Sequence, residues 1–265
     1  MCPVARLGLA MLGLAMLGPA TLALTACGPG PQPGPAPTPT ALSRLADRDR
    51  LAGLAAAAKD RRYVATYLLT TPQRADRTVT VAVATDGTWL VAVPAGALGG
   101  LADVAMFSSA AGLFQCALGS AAGSSVSRPD LPPVSPGCVR VTHLATTIDP
   151  RVQHVFTDWI DPLVDRETAL SVAAAPHLAG AGGDCYSVES NSAALAPPVD
   201  PGIYCFDPDG MVTGVRVSFG TLTLTGPVAP APPTITMPGP VVISAPLPMT
   251  APPPPPTPGV TASPH

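Results

Sequence analysis

The sequence lacks the short motifs that identify the common classes of enzymes and metal-binding proteins. It contains no HExxH, GxxxxGK, GxGxxG, SxxK or Ca2+-loop pattern, and the serine-bearing stretch 119–123 does not have the GxSxG spacing of a hydrolase. No CxxC pair and no Cys/His cluster has the spacing of zinc ligands. We therefore predict a protein that is not an enzyme and that has no metal site and no cofactor.

Basic charge is also scarce. Lys59 is the only lysine among 14 basic residues, against 17 acidic residues, and the net charge is −3. A protein that binds nucleic acid needs a basic face to neutralise phosphates. This charge balance therefore argues against a nucleic-acid partner.

The sequence does contain an apolar N-terminal run, which ends in Leu24-Thr25-Ala26-Cys27. This stretch resembles the lipobox of bacterial (actinobacterial-type) lipoproteins, in which the cysteine receives diacylglycerol and becomes the first residue of the mature protein. By that resemblance 1–26 is a signal peptide, and Cys27 anchors the extracytoplasmic protein to the outer face of the cell membrane, since two acyl chains hold stably. The alternative is an uncleaved signal anchor, which would place the same domain outside.

Prolines divide the chain into segments. Of the 36 prolines, 6 lie in 28–40 and 15 lie in 226–265. Segments of this composition are extended and solvated and do not form a packed core. We therefore expect an acylated, Pro-rich tether over 27–40, one folded domain over 41–225 and a disordered Pro-rich tail over 226–265.

Four cysteines remain in the folded domain once Cys27 is acylated and the cysteine of the signal peptide is removed. An even number of cysteines in an exported domain indicates two disulfides, and free buried thiols are the alternative. Of the three connectivities, the one that closes the shortest loops joins Cys116 to Cys138 and Cys185 to Cys205.

Hydrophobic periodicity predicts two main helices and an antiparallel set of strands. The first helix is amphipathic and covers about 40–59; we interpret its basic excess as a solvated face, with contact to anionic lipid heads as the alternative. Asp149-Pro150 is typical of a helix start, and the second helix carries His154 and Asp158 on its polar face. Their spacing suits a metal or acid–base pair, but a solvated ion pair is the simpler interpretation.

The order of the segments resembles that of the LolA/LprG/LppX-type envelope lipoproteins: lipobox, tether, helix, meander, helix and closing strands, with the run GIYCFDPDG at 202–210 entering a closing strand. In that group a strongly curved sheet forms a half-barrel whose concave side, partly covered by helices, holds acyl chains. The resemblance over 41–225 implies an α+β fold, with a strongly curved antiparallel β-sheet as a half-barrel and two main helices packed on it. It transfers no ligand residues by motif, so the candidates for an apolar cavity lining come from the amphipathic pattern alone: Trp89, Phe107, Phe114, Phe156, Trp159 and Phe219.

Two functions compete on this basis. The first is a membrane-anchored lipoprotein that binds or carries a lipid or another apolar ligand. The alternative is a non-enzymatic envelope interaction or sensory module, whose polyproline tract 252–256 docks an envelope protein or a cell-wall partner. A hydrolase, as a third interpretation, would require His143, His154 or His177 to meet Ser, Asp or Glu partners in a cleft.

Overall fold

The computed structural model describes residues 39–121, 133–191 and 197–251. The proposed signal peptide, the proposed anchor residue Cys27 and the polyproline tract 252–256 lie outside these residues. The long helix α1 spans Pro39–Asp60 and the short helix α2 spans Ile160–Val164, while 3-10 helices lie at Leu98–Gly100 and Arg151–Phe156. The strands are β1 Tyr63–Thr70, β2 Arg77–Val83, β3 Trp89–Ala97, β4 Ala102–Ser109, β5 Gly112–Ser120, β6 Gly137–Val141, β7 Leu170–Ala175, β8 Asp184–Ser190, β9 Gly202–Phe206, β10 Val212–Val217 and β11 Gly220–Pro230.

The order of the strands determines the course of the chain. All eleven strands join one antiparallel sheet in the order β6-β5-β4-β3-β2-β1-β11-β10-β9-β8-β7. Strands β6 and β7 are consecutive in the chain but lie at opposite edges of the sheet, which is not closed. Residues 142–169, the crossing segment, therefore have to traverse one face of the sheet, which we name the inner face.

Alternation along the strands gives the two faces of the sheet different cores. The inner face packs against α1 and the crossing segment in the largest group of buried apolar side chains. In β1 four alternating side chains belong to this group: Tyr63, Ala65, Tyr67 and Leu69. The opposite, outer face carries a smaller core around Phe107 and Phe114.

The predicted fold class is wrong. The described residues are predominantly β, and α1 is the only helix among them with more than six residues, so an α+β fold with two main helices does not describe the chain. The sheet is a single, open arrangement of eleven strands. The difference arises at 149–161, where one regular helix was expected.

The second predicted helix breaks because its polar groups have other partners. The Asp149 side chain caps no backbone N–H; its Oδ2 lies 2.7 Å from Nε2 of His154 instead. Thr157 then leaves helical geometry, at φ −130° and ψ −110°, so that only a 3-10 helix precedes it. The apolar positions of the pattern are nevertheless all buried: Val152, Val155, Phe156, Trp159, Ile160 and Leu163.

Both predicted disulfides are formed, and of the three connectivities the structure has the one that closes the shortest loops. Cys116 is bonded to Cys138 across β5 and β6, and Cys185 to Cys205 across β8 and β9. The bonded residues face each other directly in the strand register, and both bridges lie on the outer face. With sequence separations of 22 and 20 residues, each is expected to add about 3 kcal/mol to the free energy of unfolding.

Helix α1 packs on the domain through its second half. Leu51, Leu54 and Ala55 are buried, whereas Leu42 and Leu45 in the first turns are 52% and 61% exposed. The helix therefore leaves the domain surface towards its N-terminal end. Among the described helices none is long and apolar enough to cross a membrane.

One basic residue of the predicted solvated face of α1 is buried. Arg48 Nη1 donates a hydrogen bond to the carbonyl oxygen of Leu163 at 3.0 Å. Its Nη2 donates to the carbonyl oxygen of Pro162, at 3.1 Å, and to the carbonyl oxygen of Asp165. Burial lowers the pKa of Arg48, although the nearby Asp165 opposes this effect. The side chain satisfies the last carbonyl groups of α2 and so ties α1 to the crossing segment.

The Pro-rich tail up to Ala251 packs on the sheet, whereas the sequence indicated a segment without a core. Ile235 and Met237 cover the outer-face core. Prolines cannot donate a backbone hydrogen bond, but their carbonyl groups still accept one. The tail uses this property repeatedly, because N–H groups of the domain donate to the carbonyl oxygens of Pro232, Pro233, Pro240 and Pro248.

The tail also turns around the edge strand β6. Val242 N donates to the carbonyl oxygen of Cys138 at 2.9 Å, which gives this edge a further partner. On the inner side, the buried Gln115 donates to the carbonyl oxygens of Ile148, at 2.9 Å, and Leu247, at 3.0 Å, and accepts from Leu247 N at 2.6 Å. One amide side chain thus joins β5, the crossing segment and the tail.

We predict that truncation after Pro230 lowers the free energy of unfolding by at least about 3 kcal/mol, because it uncovers apolar side chains on both faces near β6. Truncation after Ala251 is the matched control and should leave the stability unchanged. Urea unfolding of the two truncated proteins and the intact chain measures the difference. Equal midpoints for all three would contradict the packing of the tail.

Candidate functional site

A cavity of about 700 Å³ lies on the inner face of the sheet. The last turn of α1 and the connection from α1 to β1 form one side, and residues 153–161 of the crossing segment form another. Met211 and Val212 line the cavity at the start of β10, and His143 and Leu144 line it just after the end of β6. This volume is typical of sites that hold small molecules or single acyl chains.

A row of neighbouring residues across five strands, the floor row, forms the base of the cavity. Tyr63 of β1 lies opposite Val83 of β2, which lies opposite Trp89 of β3. The row continues through Ser108 of β4 to Leu113 of β5, and all of its members except Ser108 line the cavity. At about 4.8 Å per strand, the row extends over about 19 Å. It is an elongated and almost wholly apolar surface.

Charged side chains surround the mouth of the cavity. Lys59 Nζ lies 2.7 Å from Asp161 Oδ1, and this hydrogen bond raises the pKa of Lys59. Arg61 donates to the carbonyl oxygen of Asp209 at 3.1 Å, and Arg62 donates to the carbonyl oxygens of Lys59, at 3.0 Å, and Arg61, at 2.9 Å. The site therefore combines an apolar base with a charged rim.

His154 lies between two carboxylates beside this rim. Its Nε2 is 2.7 Å from Asp149 Oδ2, and its Nδ1 is 2.6 Å from Asp158 Oδ1. The ring stacks on Trp159 with 5.4 Å between the ring centroids. Since both ring nitrogens face carboxylate oxygens, both donate hydrogen bonds only when the ring is protonated.

The carboxylates determine the charge of His154. Burial alone would lower its pKa, but the hydrogen bonds to Asp149 and Asp158 outweigh burial and raise the pKa from 6.5 to about 9. Burial likewise opposes ionisation of Asp158, yet the hydrogen bond from His154 lowers the pKa of this carboxyl group. At neutral pH the ring is a charged structural group and has no free nitrogen to act as a base.

The structure separates the six aromatic residues proposed from the sequence. Trp89 and Phe156 line the cavity. Trp159 and Phe219 pack within the inner core, with 6.4 Å between their ring centroids, but they do not line the cavity. Phe107 and Phe114 lie on the outer face beneath the tail. Alternation along a strand defines two sets of residues, but it does not show which set the crossing segment covers.

The residues missed at this site are Arg61 and Arg62. Both belong to the basic excess that the sequence assigned to a solvated helix face, but they follow the last residue of α1 and occupy the connection to β1. The sequence did offer one signal for these residues: two consecutive arginines stand between the end of a helical pattern and the start of an alternating one. Its position beside a cavity depends on contacts with 210–212, which are remote in sequence.

A second cavity, of about 550 Å³, lies between β5, β6 and the tail. Ala117 and Val139 of the sheet and Val242 and Leu247 of the tail contribute to its lining. The tail thus forms one wall of an apolar space next to Gln115.

Comparisons with known proteins assign the chain to no family. No protein-family model matches it, and the search of curated proteins finds no match. Within 39–121, 133–191 and 197–251, no group of three or more His, Cys, Asp or Glu side chains is arranged to hold a metal ion.

We predict that His154 makes the stability of the protein depend on pH. The folded pKa of about 9 exceeds the unfolded value of 6.5, so the contribution of His154 is fully present below pH 6.5 and is lost as the pH rises through 9. The intact protein should lose about 3 kcal/mol of unfolding free energy over this range relative to His154→Gln.

Urea unfolding between about pH 6 and pH 9.5 measures this difference. His177→Gln is the matched control, since His177 is exposed and has no hydrogen bond or ion pair with other described residues. A parallel pH dependence for the intact protein and His154→Gln would contradict the carboxylate pairing.

Proposed function

We propose that this chain is a membrane-anchored, extracytoplasmic lipoprotein whose domain binds a lipid or another apolar ligand in the cavity of the inner face. The observation that carries the proposal is the cavity itself, of about 700 Å³, with an apolar floor row of about 19 Å. Polar and charged groups, such as Lys59, His143 and Asp158, complete the lining around this row, and concave sites that combine apolar walls with polar groups typically bind small molecules. The resemblance to LolA/LprG/LppX-type envelope lipoproteins supports the same ligand class.

The shape of the lining favours an elongated ligand over a compact one. Tyr63, Val83 and Trp89 are direct neighbours on three adjacent strands, and Leu113 extends the same row two strands further. Phe156 faces this row from the crossing segment, in contact with Tyr67 at 4.7 Å between ring centroids. A flexible hydrocarbon chain can lie along such a row. Each Å² of apolar area that it buries there stabilises the complex by about 25 cal/mol.

A binding role accounts for the polar groups better than a catalytic one. His154 has both ring nitrogens engaged by carboxylates and is charged at neutral pH. His154 does meet Asp partners beside the cavity, as the hydrolase interpretation requires, but neither of these hydrogen bonds involves a serine, so no nucleophile is paired with this histidine. We therefore propose a non-enzymatic function.

The alternative function, a module that uses the tail, has less support. Residues 231–251 contact the domain itself through the carbonyl groups of their prolines and through Ile235, Met237 and Leu247. This part of the tail is therefore not a free ligand for an envelope protein or a cell-wall partner. The polyproline tract 252–256 remains the basis of that alternative.

The proposed location rests on Cys27. In intact cells supplied with labelled palmitate, we expect label in the wild-type chain, because its lipobox cysteine carries acyl chains. The Cys27→Ala variant should carry none, and Cys2→Ala, the matched control within the signal peptide, should be labelled like the wild type. Undiminished labelling of Cys27→Ala would remove the anchor from the proposal.

The proposed ligand site is tested by filling it. Leu113→Trp places a large side chain on the floor row, so lipid that co-purifies with the protein should fall at least about fivefold by mass spectrometry. Leu68→Trp is the matched control, because Leu68 lies on β1 with 36% exposure, between buried inner-face residues. Equal lipid content in the wild type and both variants would contradict the cavity as the site.

A further inference from the structure

We propose that the cavity selects an amphiphile with a phosphate headgroup, and that Arg61 and Arg62 bind this headgroup at the rim. This inference rests on the proposed function, because it assigns the polar end of a ligand whose apolar part lies on the floor row. It adds a chemical class that the cavity volume alone does not specify.

The backbone holds both arginines at the mouth. The two residues form the whole connection between α1, which ends at Asp60, and β1, which begins at Tyr63. Arg62 Nη1 donates to the carbonyl oxygen of Lys59 in the last turn of the helix, at 3.0 Å, and to that of Arg61 in the connection, at 2.9 Å. Arg61 Nη1 donates to the carbonyl oxygen of Asp209 at 3.1 Å. Each guanidinium group carries five N–H donors, so these bonds position the groups without using them up.

The positive groups at the rim are not equally well paired. Lys59 is paired with Asp161 at 2.7 Å, and the protonated His154 lies between the carboxylates of Asp149, at 2.7 Å, and Asp158, at 2.6 Å. Arg61 Nη1 lies 4.0 Å from the carboxylate of Asp209, which is 83% exposed, and no described carboxylate forms an ion pair with Arg62. Arg62 therefore has no acidic partner among the described residues and Arg61 has only a distant, exposed one, so both can accept a further anionic group.

The position of these charges fits an amphiphile better than a free anion. Arg62 immediately precedes Tyr63, the first residue of the floor row. When the anionic headgroup of an amphiphile binds the arginines, its hydrocarbon chain therefore begins at one end of that row. Guanidinium groups bind phosphate oxygens through paired, charge-assisted hydrogen bonds. A phosphate at the rim and a hydrocarbon chain on the floor row would occupy both parts of one site.

The test compares two probes that differ only in the phosphate: 1-oleoyl lysophosphatidic acid and 1-oleoylglycerol. Equal amounts are offered together to the full-length protein in mild detergent, and native mass spectrometry measures the ratio of the two one-to-one adducts. We expect the phosphate adduct to exceed the neutral adduct at least about fivefold at low salt. The ratio should approach one when the ionic strength is raised to about 500 mM.

The double variant Arg61→Gln/Arg62→Gln should reduce the ratio to about one while the amount of neutral adduct stays at the wild-type level, which also shows that the cavity remains folded. Arg74→Gln is the matched control, since Arg74 is exposed in the turn between β1 and β2, and it should keep the wild-type ratio. A preference that survives in the double variant would overturn the assignment to these residues.

Two results from the wild type separate this inference from the proposed function. Equal adducts of both probes would overturn the headgroup selection and leave the lipid-binding function standing. The absence of both adducts would overturn the proposed function and the headgroup selection together.

Discussion

The rest of the structure depends on one constraint, the passage of the chain from one edge of the sheet to the other. Because β6 and β7 are consecutive in the chain but lie at opposite edges, residues 142–169 must traverse the inner face. The segment makes close contact where Phe156 meets Tyr67, at 4.7 Å between ring centroids. It leaves the floor row uncovered, and the cavity is the space between the row and the segment. The cavity is thus a consequence of topology.

The same passage explains why charged groups collect around the cavity. A segment that crosses an apolar face brings backbone and side-chain polar groups with it, and each buried one needs a partner. Arg48 provides partners for the end of α2, and Asp149 and Asp158 hold His154 as a cation. These bonds replace the regular helix that the apolar pattern of the segment indicated. Fixed charges at the border of an apolar space are the result.

The sequence predicted the features that depend on neighbouring residues. The local disulfides and the antiparallel pairing of consecutive strands are of this kind, because short loops and alternation specify them. It did not predict the helix break at Thr157 or the division of the aromatic residues between the two faces, since both depend on contacts between remote segments. The contacts of the tail were missed because a high proline content was interpreted as solvation. Proline carbonyl groups can still accept hydrogen bonds from the domain, and Pro240 accepts one from Cys138 N on the edge strand β6.

The cavity of about 700 Å³ is open to solvent, so water fills it whenever no ligand is bound. Water gains few hydrogen bonds from Val83, Trp89 and Leu113, whereas a hydrocarbon chain gains burial there.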